Sequence, residues 1–178
     1  MEEIIELRKR LFSLEYSKWT ENMLFTFKWW ILLIMVVVCW YIWWKIVDKT
    51  RLMEIGLVGF TAGLVSTLLN TTGIELTLWQ YPNQLFGAVR GMNILDLTLI
   101  PIGYMLIYQF FSKWKFYIIT VTIFAFLGSF VGQPLFKALN LYEPINWKYV
   151  YSIPVYLFIG IIVKLIASKI KTIQDKNN

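Results

Sequence analysis

The chain has 178 residues, of which 58% are apolar, 18% aromatic and only 16% charged, and its mean hydropathy is +0.59. Soluble domains carry about 25% charged residues. This deficit, gathered into several long apolar runs, excludes a soluble enzyme, a disordered chain and a DNA-binding domain, and predicts an all-α, multi-span membrane protein. The sequence has no histidine, so no imidazole base and no ordinary zinc or haem site is expected. The single cysteine, Cys39, lies in an apolar run and reads as a small apolar helix residue. No cofactor, metal or nucleic acid is expected as a partner. The net charge of +6 fits topology signals and contact with anionic lipid.

Residues 1–22 carry five acids and four bases, with Ile4, Leu7, Leu11 and Leu14 at helical spacing. They predict an amphipathic helix on the membrane surface, on the bundle or on a partner. No short apolar core follows a basic start, so this stretch does not read as a signal peptide. The first span is expected over 23–44, with Trp29 and Trp30 near one end and Trp40, Tyr41, Trp43 and Trp44 at the other as aromatic belts. The second span is expected over 52–72, where Gly59 and Gly63 form a G-x-x-x-G and Asn70 to Gly73 read as a stop. Residues 73–92 are too broken to span and too apolar to float in water, and predict a structured interfacial segment. The third span is expected over 93–111, bent at Pro101. The fourth is expected over 116–135, with a second G-x-x-x-G at Gly128 and Gly132. The fifth is expected over 149–167, and a basic tail, 168–178, follows. All four glycines are expected to face other helices.

Five spans put the termini on opposite sides. Lysines and arginines number eight on the N-terminal side and nine on the other. Arg8, Lys9 and Arg10 lie at the edge of the window that sets orientation, and without them the balance is five against nine. The N-terminus is therefore expected outside and the C-terminus in the cytoplasm.

Glu75, Arg90 and Asp96 are the only charges between residues 55 and 112. Ionisable groups in apolar surroundings pair with each other or line a wet cavity. With Trp79, Tyr81, Tyr104 and Gln133 they are expected to converge on one outward-facing pocket, joined from the next loop by Glu143. Arg90 is expected within ion-pair reach of a carboxylate. The cluster reads either as a structural pin for the segment or as a binding or transport site. Two carboxylates can also serve acid–base chemistry, but no phosphate loop, activated serine or metal cluster accompanies them, and no catalytic residue is assigned.

The runs WWKIVDKTRLMEIGLVG, ELTLWQYPNQLF, DLTLIPIGYMLIYQFFSKWKFY and PLFKALNLYEPINWKYVYSIPVY carry the motifs LW-x-YP, D-L-x-x-x-P and W-K-Y-x-Y-S-x-P-x-Y. Over residues 29–165 the chain resembles a family of uncharacterised multi-pass membrane proteins of spore-forming Gram-positive bacteria. The resemblance implies a plasma-membrane location and adds no mechanism. Three readings of function follow from the residues. The first is a non-enzymatic envelope protein binding lipid, a protein partner or a second copy of itself. The second is a small transporter or channel using the polar pocket. The third is a lipid-modifying intramembrane enzyme.

Overall fold

The computed structural model describes residues 1–87 and 93–177. It is an all-α bundle. Helix α1 is Glu2–Asn22, α2 Phe27–Ile46, α3 Leu52–Glu75, α4 Ile100–Phe110, α5 Trp114–Leu127, α6 Gln133–Ala138 and α7 Ser152–Asn177. Among the described residues four helical stretches are long and apolar enough to cross a membrane: Phe27–Ile46, Lys49–Glu75, Trp114–Ala138 and Tyr149–Ile173. A shorter apolar helix, Leu95–Phe110, joins them. At 1.5 Å per residue it is ~24 Å long.

Side-chain bonds give the direction of each helix. Asn70, near the end of α3, bonds Asp96 just before α4, and Tyr108, near the end of α4, bonds Glu54 at the start of α3. These two helices are therefore antiparallel along their whole length. Helices α5 and α7 are antiparallel too, since Tyr117 bonds the Gly160 carbonyl and Gln133 bonds Ser152. The main core lies among α3, α4, α5 and α7, around Ile55, Val58, Tyr104, Tyr117, Val121 and Ile159. Exposed on the outside are Phe60, Leu64 and Leu68 of α3 and Phe116, Ile119 and Ile123 of α5. That is the pattern of a bundle whose outer solvent is lipid.

Helix α2 buries only Leu32 and Trp43. Its tie to the bundle is polar as well as apolar: Trp40 Nε1 donates to the Leu97 carbonyl at 3.2 Å. Leu97 is the residue whose carbonyl a helical N–H at position 101 would take. Pro101 has no N–H, so an indole from the neighbouring helix supplies the missing donor. Residues Leu95–Leu99 form a π-helical turn, closed by Ile100 N–H on the Leu95 carbonyl. The bend expected at Pro101 is thus a widened turn, with Pro101 in the first turn of α4. The same device recurs at Gly128–Gly132, where a π turn precedes Pro134 and links α5 to α6. In each case the wider ring relieves the crowding that a proline imposes on the turn before it.

Helix α3 runs past the expected stop at Asn70–Gly73 and ends at Glu75. The polar residues do not break it, because Asn70 finds partners in the bundle and Thr72 Oγ1 bonds back to the Leu68 carbonyl at 2.8 Å. The helix stops where Thr77 turns left-handed, with φ 58° for the comparable residue Phe25 after α1 and 54° for Thr77 itself. Leu78 N–H then bonds the Gly73 carbonyl and Thr77 N–H the Ile74 carbonyl, both at 2.9 Å, which is a Schellman motif. Asn140 ends α6 in the same way, with Leu141 N–H on the Phe136 carbonyl at 2.8 Å.

The glycines behave unequally. A Cβ on Gly59 would run into Met105 of α4, one on Gly63 would stand 3.4 Å from the Asp96 carbonyl oxygen, and one on Gly128 would stand 3.1 Å from the Tyr156 ring of α7. Gly132 departs from the expectation: a Cβ there would meet, among the described residues, only the Leu127 carbonyl of its own helix, at 3.7 Å. The π turn that contains it shifts the phase of the small-residue spacing.

Candidate functional site

The connections after α3 and α6 are stitched together over one end of the bundle. Strand β1, Trp79–Gln80, pairs antiparallel with β2, Glu143–Pro144. The Leu78 carbonyl accepts from Ile145 N–H and Asn146 N–H, each at 2.9 Å, and Asn83 donates to the Asn140 carbonyl at 2.7 Å. Trp19 of α1 and Trp29 of α2 donate from the side to the Gln84 and Leu85 carbonyls, both at 3.0 Å. The segment expected to be structured but not to cross is therefore a roof, as far as the described residues 76–87 show it.

Beneath this roof lies a cavity of about 90 Å³. A buried water needs roughly 10–15 Å³ on this measure, so there is room for several waters or one small polar group. One wall is polar. Asn70 is its centre, and it is 5% exposed. Its Nδ2 donates to Asp96 Oδ2 at 2.8 Å, and its Oδ1 accepts from both Trp79 Nε1 and Tyr81 OH, each at 2.8 Å. The indole can only donate and a carboxylate can only accept, so these partners fix which way the amide points. Asp96 itself is 6% exposed, sits in the π turn, and has Ser66 of α3 beside it. Across the cavity, Ser152 Oγ accepts from Gln133 Nε2 at 2.7 Å and from Trp147 Nε1 at 2.8 Å. Gln133 Oε1 is buried without a hydrogen-bond partner among the described residues. The remaining wall is aromatic and aliphatic, with Phe136, Tyr142, Val155, Tyr156 and Ile159. In the roof, burial and then the Asp96 charge push the Tyr81 phenol well above its ordinary range, which keeps it a neutral donor to Asn70. Burial raises Tyr142 in the same direction.

Trp79, Tyr81, Asp96 and Gln133, chosen from the sequence, line this cavity. Glu75 does not: it stands exposed at the end of α3. It is five residues beyond Asn70, or about 140° around the helix at 100° per residue, and so turned away from the Asn70 face. Tyr104 is also outside the lining. It is fully buried in the main core, its hydroxyl donating to the Tyr156 carbonyl at 2.6 Å and its ring edge-on to Phe124. Arg90, and with it the expected ion pair to Glu75 or Asp96, lies outside the described residues. Glu143 pairs with Lys137 at 3.1 Å on the rim.

Sequence reasoning missed Asn70, Ser66, Tyr142, Trp147, Ser152 and Tyr156. A signal for Asn70 was present. A large amide in an apolar helix, four residues after a serine of the small-residue face, is costly unless a partner helix answers it.

The opposite end of the bundle carries a different kind of polar cluster. Glu54 accepts from Tyr108 OH at 2.5 Å and pairs with Arg51 at 3.1 Å and Lys171 at 3.6 Å. Asp48 accepts from the Thr50 hydroxyl at 2.7 Å and the Thr50 N–H at 3.0 Å, and these bonds hold its carboxyl below the usual range. Lys164, 2% exposed, donates to the Ser112 and Phe111 carbonyls at 2.8 and 3.3 Å and lies 4.1 Å from the centre of the Tyr117 ring. It caps the C-terminal end of α4, where a cation is favoured. Glu54 is balanced by Arg51 and Lys171, and Lys164 by backbone carbonyls and aromatic rings, and this cluster reads as structural.

No family model, curated protein or solved structure matches the chain. The fold and the cavity thus define its class: a helical membrane protein with an aromatic, carboxylate-bearing cavity under the roof at one end of its bundle.

Proposed function

We propose that this protein is a non-enzymatic, multi-pass protein of a bacterial plasma membrane that binds a small amphiphilic ligand, with a lipid as the first choice. The observation that carries the reading is the mixed wall of the cavity. Polar groups from α3, the π turn before α4 and strand β1 stand on one side, Gln133 of α6 and Ser152 of α7 stand across from them, and aliphatic and aromatic side chains complete the lining. Such a wall receives a polar head and holds apolar atoms beside it. The resemblance to uncharacterised multi-pass membrane proteins of spore-forming Gram-positive bacteria supports the membrane location alone. In this reading Leu95–Phe110 is a fifth crossing, antiparallel to α3, and the cavity opens near the outer face. The basic residues Lys45, Lys49, Arg51, Lys113 and Lys115 gather at the other end, on the cytoplasmic side. The exposed stripe of α1, Ile4, Leu7, Leu11 and Leu14, lies along the membrane surface.

Native mass spectrometry of the full chain, released gently from detergent, tests the proposal. The wild type should carry a bound mass of lipid size. Val155→Trp, which fills the cavity, should lose that mass while keeping its helical circular dichroism. If the two proteins carry the same adducts, or neither carries any, the cavity is not a ligand site. Orientation is tested separately: with Cys39→Ser and Lys176→Cys, labelling by a membrane-impermeant maleimide in intact cells would refute a cytoplasmic C-terminus.

A further inference from the structure

We infer that the group held in this cavity is an ammonium: a primary or alkylated ammonium, borne by a lipid headgroup or by a small free amine. The inference rests on the ligand-binding reading above and names the chemistry of the ligand. It follows from what the cavity wall has left to offer once its internal hydrogen bonds are made.

Among the described residues Asp96 is the only charged side chain on the wall, and no lysine or arginine of theirs is within ion-pair reach of it. The other partly buried acids differ. Glu54 has Arg51 and Lys171, and Glu143 has Lys137. Asp96 has the Asn70 amide and the Ser66 hydroxyl as hydrogen-bond partners, so part of the acceptor capacity of a buried carboxylate remains to be filled. A buried carboxylate without a counter-charge is costly, and a ligand cation removes that cost.

The strong donors of the wall are already used inside the protein. Trp79 Nε1 and Tyr81 OH are spent on Asn70, and Trp147 Nε1 and Gln133 Nε2 on Ser152. A phosphate or carboxylate would find few free donors and would face Asp96 charge to charge. An ammonium meets the reverse: an acceptor-only carboxylate, and the faces of several rings. Those rings are set at angles to one another, as a cage requires. Trp79 and Trp147 meet edge to face with centroids 4.8 Å apart and planes at 73°, and Tyr81 and Tyr142 lie 5.7 Å apart at 50°. Aromatic walls of this kind attract ammonium groups through the negative ring face. The size agrees, since about 90 Å³ accommodates a small head. The phosphate and tails of a lipid would remain outside.

The test uses the full chain in a neutral maltoside detergent, with thermal unfolding and native mass spectrometry as readouts. The probes are short-chain phosphatidylethanolamine, phosphatidylglycerol with the same acyl chains, ethanolamine hydrochloride and tetramethylammonium chloride, with sodium chloride as control. Phosphatidylethanolamine or one of the free amines should raise the unfolding temperature, and phosphatidylglycerol should not. A response to the lipid alone identifies the headgroup as the source, and a response to ethanolamine or tetramethylammonium identifies a free amine. Asp96→Asn should weaken the response at least about thirtyfold, the loss expected when one partner of a buried charge pair is removed. Trp147→Leu and Tyr142→Leu, which leave Asp96 in place, should each weaken it as well, and they carry the test should Asp96→Asn fail to fold. Equal binding of phosphatidylethanolamine and phosphatidylglycerol, indifferent to these changes, would overturn the ammonium inference and leave the ligand site standing. No response to any probe from a wild type that carries a lipid-sized mass would overturn it too. The same silence from a protein without that mass removes both readings.

Discussion

Replacing Asn70 with leucine removes the centre of the polar wall while keeping the same branched heavy-atom skeleton. Among the described residues three hydrogen bonds end on this amide: one to Asp96 and one each from Trp79 and Tyr81, all at 2.8 Å. Neutral side-chain bonds between helices in a bilayer average about 0.6 kcal/mol, so the two aromatic donors account for about 1.2 kcal/mol. The bond to a charged carboxylate contributes about 1.5–3 kcal/mol. Asn70→Leu should therefore cost about 3–4 kcal/mol. The carboxylate term is the larger, because Asp96 remains buried with its donor gone. That makes the double variant the decisive one. In Asn70→Leu/Asp96→Leu the orphaned charge is gone as well, and stability should return to within about 1–2 kcal/mol of the wild type, since replacing both partners by apolar groups is often nearly neutral. The assay is equilibrium unfolding in mixed micelles, followed by tryptophan fluorescence and completed as a double-mutant cycle. A loss under about 1 kcal/mol in the single variant, or strict additivity in the double, would refute the claim that Asn70 serves the carboxylate.

Three further outcomes can be checked in the same way. Gly73→Ala places a Cβ inside the Trp79 indole; it should lower stability by about 1–3 kcal/mol and shift the emission of that tryptophan, and an unchanged spectrum would mean the ring is not seated on Gly73. Trp40→Phe leaves the Leu97 carbonyl without the donor that stands in for Pro101 and should cost about 1–3 kcal/mol, whereas Trp44→Phe at the exposed face should cost under about 0.5 kcal/mol. Thr77→Gly relieves a β-branched residue held at φ 54°, and a gain of up to about 1 kcal/mol in unfolding free energy is expected; a loss would show that the Thr77 side chain contributes more than its backbone strain removes.

The helical class was legible because lipid demands long uncharged runs, and Phe27–Ile46 and Lys49–Glu75 supply them. The ends were less legible. Asn70 to Gly73 looked like a terminus only because their partners lie on other segments: Asp96 is 26 residues from Asn70 and Tyr81 is 11. The cavity was half visible for the same reason. Trp79, Tyr81, Asp96 and Gln133 stand out as polar or amphipathic residues in apolar surroundings. Ser152 and Trp147 read as ordinary interfacial residues until the fold brings α6 beside the start of α7. Glu75 misleads because the expected helix stops before it; with α3 continuing to Glu75, about 140° separates it from Asn70. Gly132 misleads because a π turn breaks the spacing on which the small-residue argument depends.

The π turn before α4 has one more consequence, which concerns chain length. Such a turn holds one residue more than an α-helix needs to cover the same ground. Removing a single residue after Asp96, such as Leu97 or Thr98, would let the segment close as a plain α-helix. Everything upstream would then rotate by about 100° relative to α4. The Tyr104 and Tyr108 contacts would keep their places in the core, while the Asp96 carboxylate would swing away from Asn70. The position of the Asp96 charge on the cavity wall is thus set by a count of residues, and a chain one residue shorter there would retain its bundle and lose its site.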